Sequence, residues 1–183
     1  MSDNLIPPHG GYRNLTSYQM ATIVCDATVV FCKRWIRNFK LNEQILGAAR
    51  SGKQNIAEGS MVSGTSKKSE LKLIGVARAS FEELLQDLED FLRQGSLGLW
   101  DKNHQKAKEI RQLAYKSDKS YTTYKAYIEG DAETAANVII CLTHQTNFLL
   151  DRQLKALEKQ FLEEGGFTER LYQKRAERRK SWN

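Results

Sequence analysis

The sequence predicts an all-α protein: an antiparallel up-down four-helix bundle with an inserted short helical segment and a basic C-terminal tail. Three observations predict this class. Apolar residues recur at spacings of three and four over long stretches, only two prolines occur among 183 residues, and strand-like alternation does not persist. Helices of about 25–33 residues would be about 37–50 Å long, which suits a bundle of four.

The chain is long enough for one domain with a buried core. Pro7, Pro8, Gly10 and Gly11 predict an extended arm over residues 1–12. The bundle is expected over residues 13–164, with residues 95–130 as the inserted segment. Residues 165–183 then form a basic suffix tail.

The first three predicted helices come from apolar stripes and capping residues. The first is expected over residues 15–39, and Asn42 is expected to cap the second. Gly59 is expected to end the second helix, because glycine commonly terminates helices. Ser66 then caps a third helix that runs to about residue 93.

The remaining helices follow in the same way. Asp101 is expected to cap a short amphipathic helix, and a tyrosine-rich helical turn or two follows at residues 121–128. The last long helix is expected over residues 131–163, starting at Asp131 and ending before Gly165 and Gly166.

The decapeptide RSGKQNIAEG, residues 50–59, admits two interpretations. With Gly47 it gives the glycine and lysine spacing of a phosphate-binding P-loop. A P-loop needs Ser or Thr after its lysine and a strand before it, whereas Gln54 follows Lys53 and the preceding residues have helical periodicity. The segment therefore predicts a close helix crossing in preference to a nucleotide site.

Small residues on the second and third helices support that crossing. Glycine costs about 1 kcal/mol relative to alanine in a helix interior, and close packing of two backbones would offset this cost. Charged residues beside the crossing are expected to form ion pairs; the alternative, a buried acid–base pair, has no histidine or nucleophile beside it. The predicted crossing residues are Arg50, Gly52, Asn55, Glu58, Gly59, Gly75, Arg78 and Ser80.

Three motifs, R-x-x-x-x-NIAEG, S-x-x-S-E-L and ARASFEEL, resemble a known four-helix-bundle family. That family includes proteins encoded in intervening sequences of large-subunit rRNA genes and accessory variability proteins of diversity-generating retroelements. The resemblance covers about residues 12–95 and 131–162. The segment LDRQLKALEKQFLEEGGFTERLYQKR resembles the C-terminal suffix domain that some members carry.

The resemblance implies a bacterial protein that forms ring-like homo-oligomers, often pentamers, without known catalytic residues. The retroelement members bind nucleic acid and a reverse transcriptase. This chain departs from the family in residues 95–130 and in its basic suffix. The resemblance therefore does not by itself carry the retroelement function over to this chain.

The sequence offers no pattern of catalytic or metal-binding residues. His9, His104 and His144 are isolated, Cys-x-x-Cys is absent, and a di-iron bundle would need two Glu-x-x-His pairs. Cys25 and Cys32 would lie about 10 Å apart on one helix, too far for a disulfide. We therefore predict a protein that is not an enzyme, with no cofactor and reduced cysteines.

Its location is predicted from two further absences. The N-terminus has neither a basic leader nor an apolar run, and no stretch reaches the roughly 20 apolar residues of a membrane span. These observations predict a cytoplasmic protein that does not associate with a membrane.

The net charge of +6 is concentrated in the tail, which has six basic and two acidic residues. Phe167, Leu171, Tyr172 and Trp182 lie among the basic residues, a composition that suits phosphate contacts and base stacking. The alternative is an amphipathic helix that docks Phe167, Leu171 and Tyr172 on a neighbour and leaves the arginines in solvent. Two lysines in the first turn of the third helix oppose its dipole, which indicates either an external partner or a solvated turn that costs little free energy. The candidate binding residues are Lys67, Lys68, Arg170, Lys174, Arg175, Arg178, Arg179 and Lys180.

Two functions remain open at this point. The first is an oligomeric, non-enzymatic helical scaffold that binds RNA or DNA, a nucleic-acid-processing partner such as a reverse transcriptase, or both. The second is a protein-interaction module whose suffix docks on a partner or a neighbouring subunit and has no role with nucleic acid.

Overall fold

The computed structural model describes residues 6–180, and every regular element in this part of the chain is helical. The prediction of an all-α protein is thus confirmed. A short 3-10 turn, Tyr12–Asn14, precedes the α-helices. These are α1 (Thr16–Trp35), α2 (Phe39–Val62), α3 (Lys67–Gln94), α4 (Gln105–Leu113), α5 (Tyr121–Ile128), α6 (Ala132–Glu164) and α7 (Phe167–Lys180).

The four long helices contact one another in a closed order: α1 with α2, α2 with α3, α3 with α6, and α6 with α1. Along α2 and α3 the contacts run in opposite directions, because Gln44 bonds to Asp87 while Gly52 lies against Phe81. The short helices α4 and α5 pack on α6, and α5 also touches α1. The largest fully buried side chains include Phe31, Ile45, Ile56, Phe81, Leu88, Ile110 and Tyr124.

Two predicted helix starts are confirmed by their caps. The Ser66 hydroxyl accepts a hydrogen bond from the Ser69 amide at 3.1 Å, and Asp131 Oδ1 accepts one from the Thr134 amide at 2.7 Å. The backbone hydrogen bond from Thr134 lowers the pKa of Asp131 below its ordinary value. Both side chains satisfy amides that the helix itself leaves without acceptors.

The corner between α1 and α2 differs from the prediction. Helix α1 ends at Trp35, and Asn38, in place of Asn42, caps α2 by accepting from the Leu41 amide at 3.1 Å. Phe39 continued the apolar spacing of α1 in the sequence, yet it starts α2 and is 73% exposed. The periodicity of the apolar residues therefore predicted one continuous helix through the corner between α1 and α2.

Two other predicted boundaries are wrong for local reasons. Gly59 does not end α2, which continues to Val62. Asp101 does not cap α4, which begins at Gln105, because its carboxylate instead accepts from the Asn103 amide at 2.5 Å within the preceding turn.

The predicted α2–α3 crossing is tight at Gly52. A Cβ added at Gly52 would lie 2.6 Å from the ring of Phe81, so this position leaves no room for a side chain unless the ring moves. At Gly59 a Cβ would lie 3.5 Å from the Glu70 carbonyl oxygen, which is ordinary van der Waals contact with α3.

Serine and asparagine side chains join the two helices beside Gly52. The hydroxyls of Ser51 and Ser80 are 3.0 Å apart. Asn55 donates from Nδ2 to the Ser51 carbonyl at 2.9 Å and lies 3.2 Å from the Ser51 hydroxyl. This polar group fixes the rotation of α2 against α3.

Other predicted crossing residues lie elsewhere. A Cβ at Gly75 would have no neighbour within 4 Å, so the close packing predicted there is absent among residues 6–180. Arg78 pairs with Glu82 at 2.6 Å and with Asp151 of α6 at 3.2 Å, not with a residue of α2. Arg50 and Glu58 are exposed and form no ion pair with any residue among 6–180.

The described part of the N-terminal arm covers the turn between α2 and α3. The Gly10 amide donates to the Ser60 carbonyl at 3.1 Å. A Cβ at Gly64 would lie within about 3 Å of Ile6 and His9, so the arm leaves no space over this turn. Residues 1–5 of the predicted arm, and Trp182 of the predicted tail, lie outside the described residues.

Candidate nucleic-acid interface

The basic tail is a helix, α7, that follows α6 after a two-glycine turn. Gly165 has φ of +68°, in the left-handed region that favours glycine. The Gly165 amide donates to the Phe161 carbonyl at 3.0 Å. The next amide, of Gly166, donates to the carboxylate of Glu169 at 2.9 Å, which orients the first turn of α7.

Helix α7 has an inner and an outer face, although none of its residues is fully buried. Phe167, Arg170, Leu171 and Lys174 are half-buried and recur at the spacing of one helix face. On Arg170, Nε and one Nη are buried without a hydrogen-bond partner among the described residues. The structure thus places the predicted binding residues Arg170 and Lys174 on the inner face.

The outer face of α7 combines one aromatic residue with several cations. Tyr172 is 76% exposed. Arg175 and Arg179 are exposed and follow Tyr172 by three and seven residues, so the three side chains share a face. Lys180 is also exposed, on a flank of that face. Arg178 is exposed too, but it follows Lys174 by four residues and Leu171 by seven, so it lies on the inner face. We call Tyr172, Arg175 and Arg179 the outer triad.

The two lysines at the start of α3 have different environments. Lys67 Nζ lies 3.0 Å from Glu70 Oε2, and the two side chains are only 13% and 9% exposed. This pair neutralises the Lys67 ammonium inside the protein, which explains a cation in the first helical turn without an external partner. Lys68 is exposed.

Lys68 lies at the same end of the molecule as the start of α7. Arg78 of α3 contacts Asp151 of α6, and the two helices run in opposite directions from that contact. Lys67 is eleven residues before Arg78, and Leu162 is eleven residues after Asp151. Both helices rise by the same distance per residue, so Lys67 and Leu162 lie at the same height along the two helices. The beginning of α3 is therefore level with the end of α6.

All three cysteines are free; Cys25 and Cys32 are buried and Cys141 is half-buried. Burial raises the pKa of the Cys25 and Cys141 thiols to about 11, and that of Cys32 to about 12. No group of three or more metal-ligating side chains is found among residues 6–180. The P-loop-like segment from Gly47 to Lys53 lies inside the continuous helix α2, so it does not form a phosphate-binding loop.

Sequence reasoning named the basic residues of the tail but not the face each one occupies. The helical spacing of Tyr172, Arg175 and Arg179 was available in the sequence, but a helical tail was only one of two alternatives, and it was expected to dock Tyr172 and not to expose it. No helix within residues 6–180 combines the length and apolar character needed to span a membrane. Comparisons of the chain with protein-family models, curated proteins and solved structures found no match.

Proposed function

We propose that this protein is a non-enzymatic helical scaffold that binds nucleic acid through the outer face of α7. In this proposal α1, α2, α3 and α6 form an antiparallel up-down four-helix bundle. The closed order of helix contacts and the opposite directions of α2 and α3 support that arrangement. The bundle presents α7 and the exposed Lys68 at one end.

The outer triad is the observation that carries the proposal. An exposed tyrosine followed on the same face by two exposed arginines supplies a ring for base stacking and two guanidinium groups for phosphates. The cations of α3 have partners within the protein: Lys67 pairs with Glu70, and Arg78 pairs with Glu82 and Asp151. Arg175 and Arg179 therefore suit an external polyanion best.

The assembly and partner parts of the proposal rest on the sequence resemblance. It implies a homo-oligomer, often a pentamer, in which several copies of α7 would face the same nucleic acid. Such multiplicity raises apparent affinity without new contacts. A nucleic-acid-processing enzyme, such as a reverse transcriptase, is the partner expected beside RNA or DNA.

Fluorescence anisotropy with single-stranded RNA and DNA tests the binding proposal. We expect binding at about 50 mM salt that weakens steeply toward about 200 mM, because phosphate contacts release counterions. Replacing both arginines, Arg175→Ala with Arg179→Ala, should reduce the salt slope by about 1.4, or about 0.7 for each single-strand phosphate contact. Tyr172→Ala should cost about 1–3 kcal/mol for one stacked base.

The matched control removes the same charge at the other end of the molecule. Arg37 and Lys40 are exposed near the α1–α2 corner. The double variant Arg37→Ala with Lys40→Ala should leave affinity and salt slope close to the parent values. Equal losses in both double variants would indicate a general charge effect and reject α7 as the interface.

A further inference from the structure

A groove of about 880 Å³ runs along α6, and its lining includes no residue of α7. Its floor is formed by one side of α6 from Asn137 to Arg152, a length of about 22 Å at the helical rise. The N-terminal half of α6 is covered by α4, whose Ala107 and Ile110 are buried. Beyond α4 the groove remains open.

One wall of the groove is held in place by Asn137. Its side chain donates to the Gly98 carbonyl at 2.7 Å and accepts from the Trp100 amide at 2.7 Å. The Trp100 ring stacks on His104, with centroids 4.8 Å apart and planes 6° from parallel. The loop before α4 is therefore a formed wall, as small-molecule sites usually have.

The lining combines exposed apolar side chains with cations. Phe148 is 62% exposed and Tyr115 is 90% exposed, both of them at the groove. Arg111 reaches the floor, where its charge partly offsets the burial that raises the pKa of Cys141. The complete set of charged lining residues is Lys102, Arg111, Lys119 and Arg152 against Glu89 and Asp101.

One polar atom at the groove lacks a partner. Gln145 lines the groove, and its Oε1 is buried without a hydrogen-bond partner in the part of the chain that the structure describes. A buried acceptor of this kind costs free energy unless a donor reaches it. A ligand with an N–H or O–H group would supply that donor.

We propose that this groove binds a small amphipathic anion: a molecule with an aromatic or other apolar body, a negatively charged group and a hydrogen-bond donor. Arg111 and Arg152 contact the anionic group, Phe148 and Trp100 contact the apolar body, and Gln145 accepts from the donor. The volume lies in the range of small-molecule sites. Helix α7 does not suit the groove, because its net positive charge would face the basic lining.

Anilinonaphthalene sulfonate is a suitable probe, because it has two aromatic units, an N–H donor and a sulfonate. Its uncharged analogue phenylnaphthylamine lacks only the sulfonate. Fluorescence titration of the full chain should show tighter binding of the anionic probe. Arg111→Gln should weaken that probe about tenfold, as expected for a hydrogen bond to a charged group. The uncharged analogue should bind Arg111→Gln as it binds the parent.

Further variants separate a groove effect from misfolding or general charge. Arg152→Gln, on an exposed residue, should also weaken the anionic probe only. Phe148→Ala should weaken both probes. Arg37→Gln removes the same charge outside the groove, and Arg175→Ala with Arg179→Ala alters the α7 face; neither change should affect probe binding.

Two results would overturn the proposal. One is equal loss of anionic-probe binding in Arg111→Gln and Arg37→Gln. The other is millimolar or weaker binding of both probes to the parent. The groove would then be better explained as a docking site for an acidic helix of a partner protein. Neither result bears on nucleic-acid binding by α7, which the anisotropy experiment tests separately.

Discussion

The α2–α3 crossing and helix α7 represent two opposite uses of helix surface. At the crossing, Gly52 lies against the ring of Phe81, and Ser51 bonds to Ser80 across the interface. Helix α7 buries no residue completely and presents Tyr172 to solvent among arginines. The crossing packs two helices of the bundle against each other, whereas the outer triad of α7 is exposed to solvent.

The largest expected effect is on the free energy of unfolding, and it compares Gly52, at the crossing, with Gly47, where an added Cβ would have no neighbour within 4 Å. Gly52→Ala would place a methyl group 2.6–2.9 Å from the buried Phe81 ring. We expect a loss of about 1–3 kcal/mol in the free energy of unfolding, typical of overpacking. Urea unfolding followed by circular dichroism measures it.

Gly47→Ala is the matched control on the same helix. A Cβ there meets nothing within 4 Å, so the better helix propensity of alanine should stabilise the protein by about 0.5–1 kcal/mol. Opposite signs at the two positions would establish the tight crossing. If Gly52→Ala also stabilises, Phe81 moves aside freely and the crossing is not tight.

Deleting residues 167–183 tests what helix α7 contributes to stability, nucleic-acid binding and assembly. Because no α7 residue is fully buried, unfolding free energy should fall by about 1 kcal/mol or less, from the half-buried Phe167 and Leu171. Nucleic-acid binding should be lost, while the mass by light scattering should stay that of the parent. A smaller assembly with unchanged nucleic-acid binding would instead favour the docking function of the suffix.

The smallest effect concerns an acidic group between α2 and α3. Asp87 accepts from Gln44, but its Oδ2 is buried without a partner among residues 6–180. Burial, with smaller contributions from Glu83 and Asp90, raises the pKa of Asp87 above its ordinary value. The folded protein therefore holds this proton more tightly than the unfolded chain, and ionisation of the carboxyl destabilises the fold.

Asp87→Asn should consequently raise the free energy of unfolding at pH 7. The gain should shrink as pH falls through the folded pKa and vanish below the unfolded value, near pH 3, where the parent carboxyl is also neutral. Unfolding measured across this range checks the sign. The control Asp90→Asn, at an exposed residue paired with Arg93 at 2.7 Å, should not stabilise at pH 7.

The sequence predicted what depends on neighbours along the chain. The Ser66 cap and the helix start at Asp131 were predicted correctly, because each capping side chain and the amide it binds are three residues apart. The all-α class followed from periodicity. These features are local, so their physical causes are contained in short segments.

What the sequence could not predict depends on contacts between distant segments. Gly59 resembled a helix stop, yet α2 continues past it to Val62, and α3 packs against it at Glu70. Gly75 resembled a contact residue, yet it faces open space. The groove on α6 was missed for the same reason: Asn137 and the loop at Trp100 are 37 residues apart.

The hydrogen bonds that hold the loop at residues 98–100 determine how this part of the protein unfolds locally. Asn137 and Glu133, one turn apart on α6, hold the backbone of residues 98–100 through three hydrogen bonds. Losing this attachment would free the loop and α4 together, while the contacts among the four long helices would remain. The segment is therefore expected to exchange its amide hydrogens as one cooperative unit, at a lower opening free energy than the core.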